Sequence, residues 1–380
     1  MTGAPIFPTR RLRTTPYMDR VVENGVSAFT IYNHMFLPVV FNSLEEDAAH
    51  LKTHVQIWDV SAERQVQIQG PDARKLAVML SARDLRGALP GRCYYAPITN
   101  QDGKFINDPI ALCLADDLFW FSVADSDLIH WVAGLATGLG LDVKVSEPDV
   151  SPLAIQGPKA EDLMADVFGE AIREVKFFRF AQFEFKGRKL NIARSGWSKQ
   201  GGFEIYLDDF TLGNDLWDAI WAKGAPYDLR VGCPNLIERV EGGLLSLGTD
   251  MTADDTPLNA SLDRFISLNS GHDFIGKDAL IAQRDAGGYR RLKGLKISGQ
   301  PAAPISNLVD CFLGNKKVGF VTSAVYSSDF NSNIAFAMLD AEAQENGTEI
   351  QLTLDNLERT AIVCDIPFER DLFAIWQGSH

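Results

Sequence analysis

Through residue 286 the chain switches repeatedly between a strand-like apolar period of two and a helical period near 3.6. Ser43-Leu44-Glu45-Glu46 has the form of a capping box and predicts a helix running on through His54. The text I-Q-G-P-x-A-x-x-L then occurs twice, from Ile68 to Leu76 and from Ile155 to Leu163, 87 residues apart (155 − 68). In each copy an apolar strand stops at Gly-Pro and helical spacing follows: Leu76, Met79 and Leu80 in the first, Leu163, Met164, Val167 and Phe168 in the second. Pro suits the first helical turn, where its missing N–H costs nothing. What comes next is also alike. The first copy leads into a hairpin from 96–99 to 110–112 turning near Asp102-Gly103, a strand over 118–123 and a helix over 126–135. The second leads into strands around 177–185 and 189–193, a turn at Gly201-Gly202, a strand over 203–207 and a helix over 211–221. Two β-α-β-β-α-β-like halves predict duplicated ferredoxin-like units. A further helix is predicted over 234–247.

From Arg290 only short strands remain, at 292–297, 309–313, 318–322, 334–339, 350–354 and 359–365, a pattern that fits a small all-β barrel. Asp285-Ala286-Gly287-Gly288 reads as the linker before it. The predicted fold class is therefore α+β, with a first half over 1–148, a second over 149–286 and a C-terminal β-barrel over 287–380.

Composition narrows the function classes. No apolar run reaches the roughly 20 residues that span a bilayer. Arg10, Arg11 and Arg13 have no apolar block behind them, so the N-terminus does not read as a secretory signal, and a cytoplasmic location is expected. The five cysteines are odd in number and form no CxxC pair, which predicts reduced thiols. His50 and His54 are four apart and could share a helix face, but no further ligand is spaced near them, so no metal site is expected. A net charge of −14 argues against nucleic acid and against an anionic membrane surface, while leaving room for a local basic pocket. No GxxxxGK[ST] loop occurs, and the Gly-rich run from Gly134 to Gly140 lacks the dinucleotide spacing. Nothing in the sequence sets the oligomeric state; a homodimer is simply the commonest arrangement of soluble oligomers.

Two constellations carry candidate chemistry. Asp108, in Asn107-Asp108-Pro109, is flanked by Ile106 and Ile110, so it falls within an apolar strand pattern where a carboxylate needs partners or its pKa rises. The same residue also fits an ordinary turn-capping Asp. The run Arg194-Ser195-Gly196-Trp197-Ser198-Lys199-Gln200-Gly201-Gly202 returns directly into a strand on which Glu204 and Tyr206 share one face and Phe203 and Ile205 the other. A carboxylate beside a ring can grip a flat heterocycle, accepting N–H bonds at its edge while the ring packs on its face. A solvent-facing Glu–Tyr pair fits the spacing equally well.

Taken together, the duplicated Q-G-P-x-A, the N-D-P hairpin, the S-G-x-S-x-x-G-G-F-E-I-Y run and Glu238-Arg239-Val240-Glu241 resemble the glycine-cleavage T-protein (aminomethyltransferase) family. Ile275-Gly276-Lys277-Asp278-Ala279-Leu280 and Val318-Gly319-Phe320-Val321-Thr322-Ser323 extend the likeness, which spans about residues 30–368. The resemblance implies a three-domain cloverleaf, two folate-barrel halves and a β-barrel around a central funnel for tetrahydrofolate, the methyl-accepting co-substrate. It aligns Asp108 with the family's active-site aspartate and Glu204 with its pterin-holding glutamate. Where T-proteins usually read Y-T-G-E-x-G-x-E, Trp197 and Lys199 stand here instead. That departure, with Trp58-Asp59-Val60-Ser61 and the 193–202 run, points away from an aminomethyl-lipoyl donor and toward the sulfonium zwitterion dimethylsulfoniopropionate. The expected products are methylthiopropionate and 5-methyltetrahydrofolate, formed without oxidation or metal.

A sulfonium is a permanent cation that forms no strong hydrogen bond, so aromatic walls suit it. Trp197 and Tyr95 are expected to bracket it, Ser122 and Lys199 to hold the donor carboxylate, and Phe178 to stack on the pterin beside Tyr206. Asp108 would stabilise the charge developing on N5 or accept its proton. Two alternatives stay open: the same folate site with a methylated amine, aryl methyl ether or aminomethyl-lipoyl donor, and a non-catalytic folate-binding module. Modules of the second kind typically carry a K-G-C-[YF] motif, which is absent here.

Overall fold

A computed structural model describes residues 9–366 and 368; the ends of the two outer predicted domains, 1–8 and 369–380, lie outside the described residues. The architecture is α+β. A five-stranded sheet runs in the order Lys144–Ser146, Gln65–Gln69, Leu118–Ser122, Ile110–Ala115, Arg92–Tyr95. A six-stranded sheet runs Phe180–Phe185, Arg188–Ala193, Gly202–Leu207, Ser151–Gln156, Val55–Asp59, Leu229–Gly232. Six further strands from Arg291–Ile297 to Leu357–Cys364 close into a barrel.

The duplicated text does the same structural work in both copies. Gln65–Gln69 and Ser151–Gln156 each end at a Gly of positive φ, +139° at Gly70 and +125° at Gly157. A Cβ there would meet the Asp142 carbonyl oxygen at 2.5 Å in the first copy and the His54 carbonyl oxygen at 2.3 Å in the second. Only Gly allows the strand end to pass so close to a neighbouring backbone. The helices Ala73–Leu80 and Ala160–Phe168 follow, capped at Asp72 and Lys159. Pro71 and Pro158 therefore sit one residue before the N-cap, not in the first turn as the pattern suggested.

The halves are not sequentially separate. Val55–Asp59, predicted to belong to the first, pairs antiparallel with Ser151–Gln156 and parallel with Leu229–Gly232 in the second sheet. It occupies there the place that Lys144–Ser146 holds beside Gln65–Gln69. All five of its residues are buried, which suits a strand interior to a covered sheet. The chain thus crosses between the sheets at residues 60–64.

Several predicted boundaries move for local reasons. The capping box forms, with Ser43 Oγ accepting from the Glu46 N–H at 3.1 Å, but the helix is Leu44–Leu51 and stops short of His54. Thr53 Oγ1 takes up the Ala49 carbonyl at its end. The predicted 234–247 helix is Leu236–Gly242, ended by Gly243 in the left-handed region. The first hairpin is broken in two: Arg92–Tyr95 pairs with Ile110–Ala115, whereas Ile98–Thr99 pairs with Phe105–Asn107 as a separate ribbon. In the barrel, Lys316–Ser327 runs five residues past its predicted end, through a register shift between Val321 and Ser323. A bulge of this kind re-aims a strand, and the extension carries Ser323 and Ser327 to the helix Leu236–Gly242.

Each sheet buries one face under its helices. Ile68, Leu76, Phe119, Phe121 and Val132 form the first such core, and Ile155, Leu163, Ile205, Trp217 and Ile220 the second. The opposite faces meet each other. Cys93, Leu112 and Trp120 of the first sheet pack against Val150, Ala193 and Tyr206 of the second half, and this seam positions the site.

Candidate active site

Strand alternation decides which side chains reach the seam. On Gly202–Leu207, Phe203, Ile205 and Leu207 enter the outer core, so Glu204 and Tyr206 face inward, as their spacing predicted. The Tyr206 ring centroid lies 6.2 Å from that of Trp120 across the seam. Glu204 is buried; Ser195 Oγ donates to its Oε2, and the Tyr206 hydroxyl approaches the same oxygen at 3.4 Å.

Asp108 comes from the first half, at the step between the broken hairpin's two ladders. Asn107 anchors it: its side chain accepts from the Ala124 N–H at 3.1 Å and donates to the Ala124 carbonyl at 3.0 Å and Ser126 Oγ at 2.8 Å. The Tyr95 hydroxyl donates to Asp108 Oδ2 at 2.9 Å, while Oδ1 is enclosed with no hydrogen-bond partner. A carboxylate oxygen in that condition is an expensive feature to keep unless a ligand uses it.

The crossover at 60–64 brings in Glu63, which no periodic pattern marked. Asp59, four residues before Glu63, accepts from the Ser61 N–H at 3.1 Å and Ser61 Oγ at 2.7 Å, an Asx-type turn that makes the crossover rigid. Asn33, buried at the tip of the hairpin Ala28–Tyr32 and Met35–Val40, donates to the Ala62 carbonyl at 2.9 Å and accepts from the Ser126 N–H at 2.9 Å. It ties the hairpin tip, the crossover and the loop anchoring Asp108 into one unit. Tyr32, beside that tip, is close enough to Glu63 and Asp108 for both charges to act on its hydroxyl.

The electrostatics of this centre are one-sided. Burial pushes the Asp108 carboxyl up to about 7, with the Tyr95 hydrogen bond only partly opposing it. Burial likewise raises Glu63, reinforced by the charges of Glu204 and then Asp108. Glu204 is raised by burial against the pull of Ser195 and Tyr206. Among the described residues no ion pair joins a Lys or Arg to any of the three, and Arg264 acts on the Tyr95 hydroxyl that donates to Asp108.

The remaining expected residues divide. Ser122 lies on the inner face of the first sheet, in register with Ile110 and Gln65, and its Oγ accepts from Gln65 Nε2 at 3.0 Å. Phe178 packs at the seam with Cys93 and Tyr206 and adopts a φ of +57°, uncommon for an aromatic residue. The Arg239 guanidinium stands 5.8 Å from the Trp197 ring centroid. Lys199 is engaged in ion pairs. Its ammonium is held by Glu241 and, at 3.2 Å, by Asp329, so it does not present a free cation to a donor carboxylate. Glu238 Oε1 accepts the Lys199 N–H at 3.1 Å, and Gln156, the Gln of the second repeat, donates to the Ser195 carbonyl at 3.0 Å and accepts from Ser198 Oγ at 2.9 Å. Residues 195–200 are thus a fixed loop, held by ion pairs and buried amides.

The histidine pair gains a neighbour the spacing did not show. Asp228 Oδ2 lies 3.5 Å from His50 Nε2 and 3.7 Å from His54 Nε2. His50 Nε2, however, is engaged with the Asp228 carbonyl at 2.9 Å, and His54 Nδ1 with Thr53 Oγ1 at 2.8 Å. No described helix is long and apolar enough to cross a membrane.

Comparison with known proteins gives matches along nearly the whole chain. Residues 17–270 match the GCVT N-terminal domain family, and residues 290–369 the glycine cleavage T-protein C-terminal barrel domain. A dimethylsulfoniopropionate demethylase of Ruegeria pomeroyi is 49% identical over 349 residues, 92% of this chain and 95% of that protein. An aminomethyltransferase of Oceanobacillus iheyensis is 29% identical over 371 residues, 94% of this chain and 98% of its own. The crystal structure of glycine cleavage system aminomethyltransferase T from Bartonella henselae shares the fold, with a TM-score of 0.85 at 22% identity, covering 95% of this chain and 99% of that one.

Proposed function

The chain belongs to the glycine cleavage T-protein family, and on that footing we propose that it is a folate-dependent demethylase moving a methyl group from dimethylsulfoniopropionate to N5 of tetrahydrofolate. The observation that carries this reading is the pair Asp108 and Glu204, carboxylates brought in from the two halves, Glu204 buried and Asp108 with one enclosed oxygen that no protein group hydrogen-bonds. Buried charge without a partner is costly. A donor with a fixed positive charge supplies the missing partner, and a neutral or anionic donor does not.

Tetrahydrofolate is the second substrate, and its N5 forms the new bond to the methyl carbon as the carbon–sulfur bond breaks and its electron pair returns to sulfur. The reaction is redox-neutral, and a sulfonium needs no acid to leave. What the protein must supply is alignment in a dry site. Glu204, oriented by Ser195 and Tyr206, is placed to accept N–H bonds from an aminopyrimidine edge, with Phe178 and Tyr206 offering ring faces. Asp108, held by Asn107 and Tyr95, offers Oδ1 to the positive charge appearing at N5 and can take its proton. Tyr95 and Tyr32 line the same carboxylates and are the aromatic walls available to the sulfonium. Trp197, braced by Arg239, contributes as part of the fixed loop.

Anaerobic incubation with tetrahydrofolate and dimethylsulfoniopropionate should yield methylthiopropionate and 5-methyltetrahydrofolate in equal amounts. Absence of both, with turnover of glycine betaine or dimethylglycine, would reassign the donor. Folate binding without turnover of any methyl donor would favour a non-catalytic module.

Two further outcomes follow from the carboxylates. The working form of Asp108 is the ionised one, so activity should rise with pH through about 7 and fall away below it. Stability runs the other way. Groups whose folded-state pKa is raised stabilise the fold fully below their unfolded value, about 4, and that contribution is lost as pH rises through the folded value. Melting of the ligand-free protein should therefore weaken from pH 5 to 8 while turnover climbs. Parallel rise of both would contradict the assignment.

Replacing Glu204 with Gln keeps the shape but removes the charged acceptor. Hydrogen bonds to a charged group contribute about 1.5–3 kcal/mol, so the tetrahydrofolate Kd should rise roughly 10–100-fold with the fold intact. Titration calorimetry reads this directly, and an unchanged Kd would place the pterin elsewhere.

A further inference from the structure

We infer that Gln65 and Ser122 form the subsite that reads the N1/N8–H edge of the reduced pterin, Gln65 accepting from N8–H and Ser122 donating to N1. This deepens the folate reading above and rests on it.

The register of the first sheet places the pair. Gln67, Trp120, Leu112 and Cys93 lie opposite one another on four neighbouring strands, and the last three pack against the second half at the seam. Gln65, Ser122, Ile110 and Tyr95 form the next row, two residues along, so they stand on the same face. Val66, Ala111 and Phe121, which lie between the rows, enter the helix-covered core instead. Tyr95 is at one end of the row and holds Asp108. Gln65 and Ser122 are at the other, beyond the apolar Ile110. Tyr95 and Ser122 are two strand spacings apart, about 9.5 Å. That leaves room for a flat ring over Ile110, gripped at both edges.

The polar atoms of the pair decide what it can hold. Gln65 is 1% exposed and Ser122 6%. Gln65 Nε2 donates to the Glu63 carbonyl at 2.8 Å and to Ser122 Oγ at 3.0 Å. A backbone carbonyl only accepts, so it fixes which end of the amide is nitrogen. Gln65 Oε1 is left enclosed with no hydrogen-bond partner. The Ser122 proton is turned away from Gln65, and among the described residues no group accepts it. The pair thus offers one acceptor and one donor side by side. A buried acceptor without a donor is costly, and Asp108 Oδ1, at the far end of the row, is in the same state. A donor carboxylate has only acceptors and would set its charge against Oε1; a sulfonium has no N–H to give. A tetrahydropterin held by Glu204 at its 2-amino edge and by Asp108 at N5 presents the opposite edge to the pair, where N8–H gives and N1 accepts. In fully oxidised folate N8 carries no hydrogen and would turn a lone pair toward Oε1. The subsite therefore reads the reduction state of the ring, and Ser122 belongs to the folate and not to the donor carboxylate.

The test is anaerobic calorimetry with tetrahydrofolate, with 8-deazatetrahydrofolate, in which CH2 replaces N8–H, and with 5-deazatetrahydrofolate, which keeps N8–H. Wild-type protein should bind tetrahydrofolate about tenfold more tightly than the 8-deaza analogue. Gln65→Met keeps the length of the side chain without its acceptor. It should bring that ratio to within about twofold of unity and leave the ratio to the 5-deaza analogue as in wild type. Ser122→Ala should weaken tetrahydrofolate and its 8-deaza analogue alike, by about three- to tenfold, because both keep N1. The Kd of dimethylsulfoniopropionate, measured without folate, should stay within about twofold in both variants. Equal wild-type affinity for tetrahydrofolate and the 8-deaza analogue would overturn the inference, whether or not Gln65→Met folds. An unchanged ratio in Gln65→Met or an unchanged tetrahydrofolate Kd in Ser122→Ala would do the same. So would a loss confined to the sulfonium, by placing the pair on the donor carboxylate. Failure of the functional reading looks different: wild-type protein would itself show neither tetrahydrofolate binding nor demethylation.

Discussion

Asp108→Asn should lower methyl transfer by roughly 10²–10⁴-fold, the range typical of losing a positioned proton acceptor, while the protein folds normally. The amide is nearly isosteric and can still accept from the Tyr95 hydroxyl through one oxygen, so the hairpin step held by Asn107 should not move. What disappears is the ionised Oδ1, the group available to charge at N5. Because burial holds this carboxyl up to about 7, the wild-type protein carries a cost when it ionises. The variant lacks that cost, so its melting temperature above pH 7 should equal or exceed the wild-type value. Turnover at saturating donor and folate, measured beside thermal melting, checks both halves. A variant turning over within about threefold of wild type would remove Asp108 from the chemistry.

The second large effect concerns the support of the site. Arg239→Leu should destabilise the fold by roughly 3–5 kcal/mol, the cost of leaving one member of a buried ion pair alone. Arg239 and Asp250 are both buried and meet at 2.6 Å. Arg239 also donates to Ser323 Oγ at 2.6 Å, and Thr322 Oγ1 donates to Asp250 at 2.9 Å. One guanidinium thus joins the helix Leu236–Gly242, the barrel strand Lys316–Ser327 and, through its stacking on Trp197, the loop over 195–200. Losing it frees that loop as well as exposing an unpaired acid. The double variant Arg239→Leu/Asp250→Asn should recover much of the loss, because the uncompensated charge is gone. Chemical denaturation of the three proteins reads these terms, and equal stability of the single variant and wild type would show that Asp250 finds another partner.

Both effects bear on the same question of how much the sequence discloses. Period-two alternation was enough to put Glu204 and Tyr206 on one face, since successive strand residues point to opposite sides whatever the sheet packs against. The repeated Gly-Pro marked the duplication, because a Cβ at either strand end would meet a neighbouring carbonyl oxygen at under 3 Å. The N-D-P step disclosed an acid inside an apolar ladder. Trp197 and Lys199 were legible as loop residues but not in their partners. Their cations and anions, Arg239, Glu241 and Asp329, lie 42, 42 and 130 residues further along the chain (239 − 197, 241 − 199, 329 − 199). Charge pairing has no period, so a chain position says nothing about which ion it will meet.

Fold class, the doubled half, the terminal barrel and the two central acids Asp108 and Glu204 were already determined by local rules: strand alternation, helical spacing and the demands of glycine. Only the tertiary structure decided that Val55–Asp59 crosses into the second sheet and that the turn at 60–64 returns the chain to the first. The reason is physical. A turn residue is placed by where its flanking strands find partners, and those partners are chosen by burial across the whole molecule.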